Sequence, residues 1–81
     1  MRVNNKRTTA LLKTFGNVVR SQRQLLGLSQ EPLAETADFD RTYISLLERG
    51  LRNPSLTNLC RLAAALSIKP SDLLKGIIYG P

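Results

Sequence analysis

The sequence predicts an all-α fold, a compact bundle of five helices that contains a helix-turn-helix. Apolar residues recur at spacings of three and four along the chain, and no segment alternates polar and apolar residues as a strand would. Two short helical segments lie between Ser29 and Gly50, and the three residues that separate them are too few for anything but a turn. Helices this short are marginal alone in water, so the pair must pack against the rest of the chain.

The first predicted helix runs from about Thr9 to Leu26. Gly16 weakens it slightly, and Gly27 ends it in the usual C-terminal place. We expect residues 1–8 to form a basic N-terminal arm that need not be ordered, and residues 9–79 to form a single helix-turn-helix domain. The positions that follow the helical period are Leu11, Leu12, Phe15, Val18, Val19, Gln22 and Leu26.

The second and third predicted helices, Gln30 to Ala37 and Arg41 to Arg49, each have a start signal. Ser29 and Asp40 can cap them, because their side-chain oxygens can accept hydrogen bonds from unpaired backbone N–H groups. Asp38 occupies the turn, where a left-handed backbone is tolerated better by Asp than by most residues. The side chains predicted to pack inward are Leu33, Ala34, Ala37, Ile44 and Leu47.

Two further helices complete the predicted bundle. Ser55 caps a fourth helix to about Leu66, and a short fifth helix opens at Pro70 and ends near Gly76. We expect Cys60 to be a small buried residue on the fourth helix. The apolar face predicted for that helix is Leu56, Leu59, Cys60, Ala63 and Leu66.

The C-terminal part of the chain carries more apolar surface than an 81-residue monomer readily covers. We therefore predict a dimer interface there, and the alternative is that these residues close the core under the first helix. The residues assigned to the interface are Leu73, Leu74, Ile77, Ile78 and Tyr79.

The net charge of +6 is concentrated at one end of the chain. Residues 1–30 carry six of the 12 cations and no acid, whereas the remainder is neutral overall. Such a basic segment suits a polyanion, because Lys and Arg displace counterions from phosphate; a solvated basic face is the alternative. The absence of histidine, the single cysteine and the lack of ~18 consecutive apolar residues favour a cytoplasmic protein with no metal, cofactor or membrane span.

The third helix has a polar face opposite its apolar residues. Arg41, Thr42, Ser45 and Arg49 share that face. Arginine can contact guanine O6 and N7 together, threonine can contact a thymine methyl, and serine can pair with several base edges. Tyr43 can flank a DNA groove or cover the edge of the core. The pattern indicates a helix that reads a major groove, and an ordinary solvated helix face is the alternative.

Several short motifs carry a family resemblance. They resemble the phage-repressor and Cro-type (XRE) helix-turn-helix family, whose domain is the lambda-repressor-like bundle. The run from Asp40 to Ser45 is similar to that of the controller proteins of restriction–modification systems, which are dimers on near-palindromic operators. The motifs are Ser29-Gln30-Glu31, Leu33-Ala34, Ile44-Ser45, Glu48-Arg49-Gly50 and Arg52-Asn53-Pro54-Ser55.

The resemblance implies roles for individual residues. Arg23, late in the first helix, and Glu48 are expected to form a structural ion pair; a phosphate contact by Arg23 is the alternative. The residues that match base-reading positions are Arg41, Thr42, Tyr43 and Ser45. Those that match DNA-backbone positions are Gln30, Arg52 and Asn53, and Arg49, from the polar face of the third helix, is also assigned to the backbone.

The sequence therefore predicts a sequence-specific transcriptional regulator, a homodimer on double-stranded operator DNA that controls a restriction–modification operon. It is expected in the cytoplasm of a bacterium or phage host, at the nucleoid, with no catalytic residues and no small-molecule ligand. Two alternatives remain open: the antitoxin of a toxin–antitoxin pair, with the apolar C-terminus against the toxin, and a helical protein-interaction module that does not bind DNA.

Overall fold

The computed structural model of the chain describes residues 6–79 and has five helices over that range, with no strand. This is the predicted fold class. No helix within these residues is long and apolar enough to cross a membrane. In chain order, the helices are α1 (Lys6–Leu25), α2 (Gln30–Ala37), α3 (Arg41–Glu48), α4 (Leu56–Ala65) and α5 (Pro70–Leu74).

Helix α1 begins earlier than predicted. Lys6, Arg7 and Thr8, which were assigned to the basic arm, form its first residues, because no proline or glycine precedes Gly16 to interrupt the helix. The rest of the predicted arm, residues 1–5, lies outside the described residues. At its other end α1 stops at Leu25, one residue before the predicted end.

Four helices, α1 to α4, end in the same backbone arrangement, in which a residue with positive φ and the residue after it both donate their N–H groups to carbonyls of the last turn. Glycine occupies that position after α1 and α3, at Gly27 and Gly50. The other two are non-glycine residues at φ 59°: Asp38 after α2, as the sequence predicted, and Ser67 after α4. Two of the four turns therefore hold an L-residue in a conformation that costs roughly 1–2 kcal/mol.

The N-terminal caps are partly as predicted. The Asp40 carboxylate accepts a hydrogen bond from the Thr42 N–H at 2.9 Å, and the Ser55 hydroxyl accepts one from the Asn58 N–H at 3.1 Å. The predicted Ser29 cap is wrong, since its side chain makes no cap hydrogen bond. The third residue of α2 is a proline, which has no N–H, so one of the two usual partners of a capping side chain is missing.

The core lies between α1, the helix pair α2–α3 and the C-terminal helices. Val19 of α1, Ile44 of α3 and Leu62 of α4 are fully buried within it. Burial of such side chains is the main source of stability in a small domain. Its remaining buried members are Phe15, Leu33, Ala34, Leu47, Leu59, Ala63, Leu66 and Leu73.

Helix α4 is rotated relative to the prediction. Leu59, Ala63 and Leu66 are buried as predicted, but Cys60 and Leu56 are exposed, Leu56 by 76%, and Leu62, which the prediction left out, is fully buried. Both sets of positions have spacings of three and four, so the helical period alone does not distinguish them. The observed orientation buries the larger Leu62 instead of the cysteine, which removes more apolar area from water.

Helices α1 and α3 approach each other closely at two glycines. A Cβ atom on Gly16 would lie 2.5 Å from the carbonyl oxygens of both Leu47 and Glu48. A Cβ atom on Gly50 would lie 2.9 Å from the backbone N and Cα of Lys13. Gly16, which only weakens the helix in the sequence analysis, is therefore required for the contact that holds the end of α3 against α1.

Candidate DNA-binding surface

Helix α3 separates its residues into two faces, as predicted. Ile44 and Leu47 are fully buried against α1 and α2, whereas Arg41 and Thr42 are exposed at the first two positions of the helix. Ser45, one turn further on, is half-buried. Among residues 6–79, no ion pair involves the Arg41 guanidinium. The N-terminal end of α3 thus presents an arginine and a threonine that can contact base edges.

Tyr43 lies at the boundary between this exposed face and the core. Its ring is 4.8 Å from the ring of Phe39, centroid to centroid, at an interplanar angle of 51°. Its hydroxyl accepts a hydrogen bond from the Asn58 side-chain amide at 3.1 Å. The ring is half-buried and packs on the core, which is the alternative that the sequence left open for this residue.

The C-terminal end of α3 is held by a buried carboxylate. Glu48 is only 2% exposed. The Arg23 guanidinium donates to both of its oxygens, at 2.7 and 2.9 Å, and a third Arg23 N–H donates to the Leu28 carbonyl at 2.8 Å. The structure thus brings together the two residues that the family resemblance pairs. This two-point geometry is the strongest form of an arginine–carboxylate contact.

Two further side chains donate to Glu48, and the sequence analysis did not foresee either contact. Arg20 Nε lies 3.4 Å and Gln30 Nε2 lies 3.1 Å from the same carboxylate oxygen. Gln30 was assigned to the DNA backbone, but its amide is directed inward to the buried charge. A carboxylate away from water requires several donors, and the amide at the start of α2 is within reach of it.

This network shifts the pKa values of the pair. Burial alone would raise the pKa of Glu48, but hydrogen bonds from Arg23, Gln30 and Arg20, together with the charge of Arg23, outweigh burial. The pKa of Glu48 therefore lies below its usual value of 4.5. The hydrogen bond to Glu48 raises the pKa of Arg23 above its usual value. The carboxylate is thus ionised at neutral pH.

The loop after α3 carries the residues predicted to contact the DNA backbone. Arg49, Arg52 and Asn53 are all exposed. Within the described part of the chain, Arg52 donates only to the adjacent Leu51 carbonyl, at 3.0 Å, so its guanidinium keeps other N–H groups for a ligand. Lys13 of α1, which the sequence analysis did not assign, is an exposed cation against Gly50 of this loop. The loop and the adjoining part of α1 therefore present positive charge beside α3.

The predicted C-terminal interface is divided by the structure. Leu73 is fully buried in the core, because α5 turns this residue toward the other helices. Its assignment to a dimer interface is therefore wrong. Ile77 is partly buried against the core. Leu74, Ile78 and Tyr79 remain exposed, Ile78 by 87%. An apolar surface is therefore present, and it is smaller than the sequence predicted.

A helix-turn-helix with a capped second helix, exposed Arg41 and Thr42 at its start, and flanking cations has the features of a DNA-binding domain. The family model described as Helix-turn-helix matches residues 19–73 of this chain. The chain is 49% identical over 61 residues to the control protein C.BamHI of Bacillus amyloliquefaciens. The aligned segment covers 74% of this chain and 75% of that protein.

Solved structures agree with this relationship. The restriction–modification controller protein C.AhdI from Aeromonas hydrophila matches with a TM-score of 0.78 and 48% identity, over 79% of this chain and 97% of that one. The controller protein C.Esp1396I, solved as a tetramer with its natural 35 base-pair operator, matches with a TM-score of 0.75 and 31% identity, over 83% of this chain and 88% of that one. The chain belongs to the controller proteins of the helix-turn-helix family of transcriptional regulators.

Proposed function

We propose that this chain binds an operator of a restriction–modification operon and regulates transcription from it as a homodimer. The observation that carries the proposal is the first turn of α3, where Arg41 and Thr42 are exposed while Ile44, on the opposite face, is buried. A helix anchored on one face and polar on the other can enter a major groove without loss of packing. The proposal includes no catalytic step and places the protein in the bacterial cytoplasm, at the nucleoid.

In the proposed complex, residues of α3 contact bases and the adjoining loop contacts phosphates. Arg41 contacts guanine through two hydrogen bonds, and Thr42 and Ser45 contact the neighbouring base pairs. Tyr43 contacts the DNA through the exposed edge of its ring. Because phosphate contacts are independent of sequence, they fix the position of the protein on the duplex. The residues proposed for these contacts are Arg49, Arg52 and Asn53, and Gln30 acts through Glu48 rather than on phosphate.

The exposed C-terminal apolar surface is proposed to join two copies of the chain. Leu74, Ile78 and Tyr79 are the exposed members, with Ile77 at their edge. A twofold dimer would place the two α3 helices about 34 Å apart, in successive major grooves on one side of the DNA. Occupancy of the operator would then depend on protein concentration through dimerisation. The operator-bound tetramer of C.Esp1396I supports assembly of this kind.

Selection of bound sequences from a random duplex pool tests the proposal. We expect a half-site repeated with twofold symmetry and a centre-to-centre spacing of about 10 base pairs. Failure to enrich any sequence at low salt would contradict DNA reading and would leave a protein-interaction module. Enrichment of a single asymmetric half-site would contradict the homodimer while retaining DNA reading.

Two arginine variants test the separation of base and phosphate contacts on the selected duplex. Arg41→Ala should reduce operator binding by about 1–3 kcal/mol and relax the preference at one base position. Arg52→Ala should weaken binding to all sequences similarly and lower the slope of log affinity against log salt by about one. The base-reading assignment is wrong if Arg41→Ala weakens operator and random DNA by the same factor.

Sedimentation measurements on the DNA-free protein test the dimer surface. Ile78→Asp introduces a charge at the most exposed apolar side chain of this surface, and we expect it to shift the protein toward monomer. Leu25→Asp is the matched control, because Leu25 is also highly exposed but lies at the far end of α1. Equal effects of the two substitutions would contradict the proposed location.

A further inference from the structure

Arg61 of α4 binds the turn that joins α2 to α3. Its Nε and Nη2 atoms donate to the Ala37 carbonyl at 3.2 and 2.8 Å, and Nη2 also donates to the Asp38 carbonyl at 2.6 Å. The guanidinium carbon lies 4.2 Å from the centroid of the Phe39 ring. One side chain thus contacts all three consecutive residues at the end of α2 and in the turn. Sequence analysis gave Arg61 no role.

A second contact connects α4 to the start of α3. Phe39, under Arg61, packs on the Tyr43 ring, and the Tyr43 hydroxyl accepts the hydrogen bond from Asn58. Asn58 and Arg61 are three residues apart in α4 and therefore lie on the same face of that helix. The turn and the first turn of α3 are consequently held from α4 at two points, by the side chains of Arg61 and Asn58.

The turn needs this support because of its backbone conformation. Asp38 has a φ of 59°, a region that is unfavourable for a residue with a Cβ atom. The last carbonyl of α2, that of Ala37, has no partner within the helix and accepts two hydrogen bonds from Arg61. A cation at a helix C-terminus satisfies such a carbonyl and interacts favourably with the helix dipole. Arg61 supplies both effects at the point where the chain changes direction toward Arg41.

We propose that Arg61 is a positioning residue for DNA reading, which sets the angle at which α3 presents Arg41 and Thr42. The inference rests on the proposed function. Arg61 acts from α4 through the turn and Phe39, and it contacts no base in this arrangement. Loss of its hydrogen bonds would leave α3 attached at its Glu48 end while its first turn becomes less well fixed. Base contacts require fixed geometry, whereas general attraction to phosphate does not.

The test compares Arg61→Met with Lys75→Met, which removes the same charge from an exposed position after α5. The probes are the duplex selected by the unmodified protein and a scrambled duplex of equal length. We expect the ratio of the two affinities to fall at least about tenfold in Arg61→Met, comparable with the loss of one good base contact. Lys75→Met should leave the ratio unchanged. Equal ratios in the two variants would overturn the proposal.

A third variant separates geometry from charge. Arg61→Lys keeps the positive charge, but a lysine ammonium cannot reproduce the planar arrangement of N–H groups on two carbonyls and an aromatic ring. We expect Arg61→Lys to bind the scrambled duplex as the unmodified protein does. The ratio of the affinities for the selected and scrambled duplexes should stay close to that of Arg61→Met. Full recovery of discrimination by lysine would show that only charge matters and would contradict a positioning role.

Amide hydrogen exchange of the DNA-free variants keeps the inference testable apart from the proposed function. The Asp38 and Phe39 N–H groups are bonded to the Glu35 and Ala34 carbonyls. In Arg61→Met we expect these two amides to exchange faster while the amides of α1 stay protected. A uniform increase across the chain would mean general destabilisation and would overturn the proposal. If no duplex is ever selected, the proposed function fails, and this local exchange still reports on the turn.

Discussion

The two ends of helix α3 are both held by arginines, but in different environments. At the C-terminal end, Arg23 pairs with Glu48 through two hydrogen bonds, and the side chains are 12% and 0% exposed. At the N-terminal end, Arg61 binds two backbone carbonyls and an aromatic ring, and its side chain is 40% exposed. The first arrangement removes a full ion pair from water, whereas the second leaves the cation partly hydrated.

The two ends of α3 therefore differ in how much change they tolerate. Removing one member of a buried ion pair leaves an uncompensated charge, so the Glu48 end tolerates little change. Contacts of a half-exposed arginine are weaker, because water competes for the same N–H groups. The end of α3 that is proposed to read DNA is therefore the more adjustable one, and the end remote from the bases is fixed to α1.

The largest effect is expected from Glu48→Ala. Loss of the carboxylate leaves Arg23 buried without its partner, and we expect the free energy of unfolding to fall by about 3–5 kcal/mol. Urea unfolding measures it. Glu35→Ala is the matched control, because Glu35 is an exposed acid on α2, and its effect should stay within about 0.5 kcal/mol. Similar losses in both variants would remove the contrast between the two ends of α3.

A loss of stability in acid should follow from the same carboxylate. The pKa of Glu48 is lowered in the folded protein, so its contribution is fully present above the usual value of 4.5 and is lost as the pH falls through the lower, folded pKa. We expect the stability of the unmodified protein to fall more steeply over this acidic range than that of Glu48→Gln. Parallel profiles of the two proteins, measured by urea unfolding at each pH, would contradict the prediction.

Gly16→Ala tests the packing beside the Glu48 end. In a helix interior this change is usually stabilising by about 0.5–1 kcal/mol. Here the new Cβ atom would meet two backbone carbonyl oxygens at 2.5 Å, so we expect a destabilisation of about 1–3 kcal/mol instead. Asn17→Ala, the exposed neighbour on α1, should be neutral or slightly stabilising in the same thermal unfolding assay. A stabilising Gly16→Ala would show that α1 and α3 can separate at low cost.

The smallest effects are expected from two glycine substitutions at φ 59°. Ser67→Gly relieves the left-handed backbone strain after α4, although glycine adds an entropic cost to folding. We expect the free energy of unfolding to rise by about 0.5–1 kcal/mol. Asp38→Gly relieves the same strain but also removes the carboxylate that lies 3.9 Å from Arg61, so its gain should be smaller. Thermal unfolding compares the two variants. A larger gain in stability from Asp38→Gly would show that the contact between Arg61 and the Asp38 carboxylate contributes nothing to stability.

Local sequence signals predicted much of the fold. The bounds of α2, the start of α5, the caps at Asp40 and Ser55 and the left-handed turn at Asp38 depend on residues adjacent in the chain, and the structure confirms them. The buried and exposed faces of α3 followed from a single helical period. Glu48 and Arg23 were paired through the family resemblance, since nothing in their spacing shows that they meet.

The sequence alone determined which segments are helical, where they turn and which side of α3 is polar, because these properties depend on neighbouring residues and on side-chain type. Only the tertiary structure decided that α4 buries Leu62 rather than Cys60, that Leu73 belongs to the core, and that Gln30 donates to Glu48. It also brought Arg61 to the turn, 23 residues away in sequence from Asp38. Such contacts depend on how helices are placed in space, and helical periodicity specifies a face without specifying what that face meets.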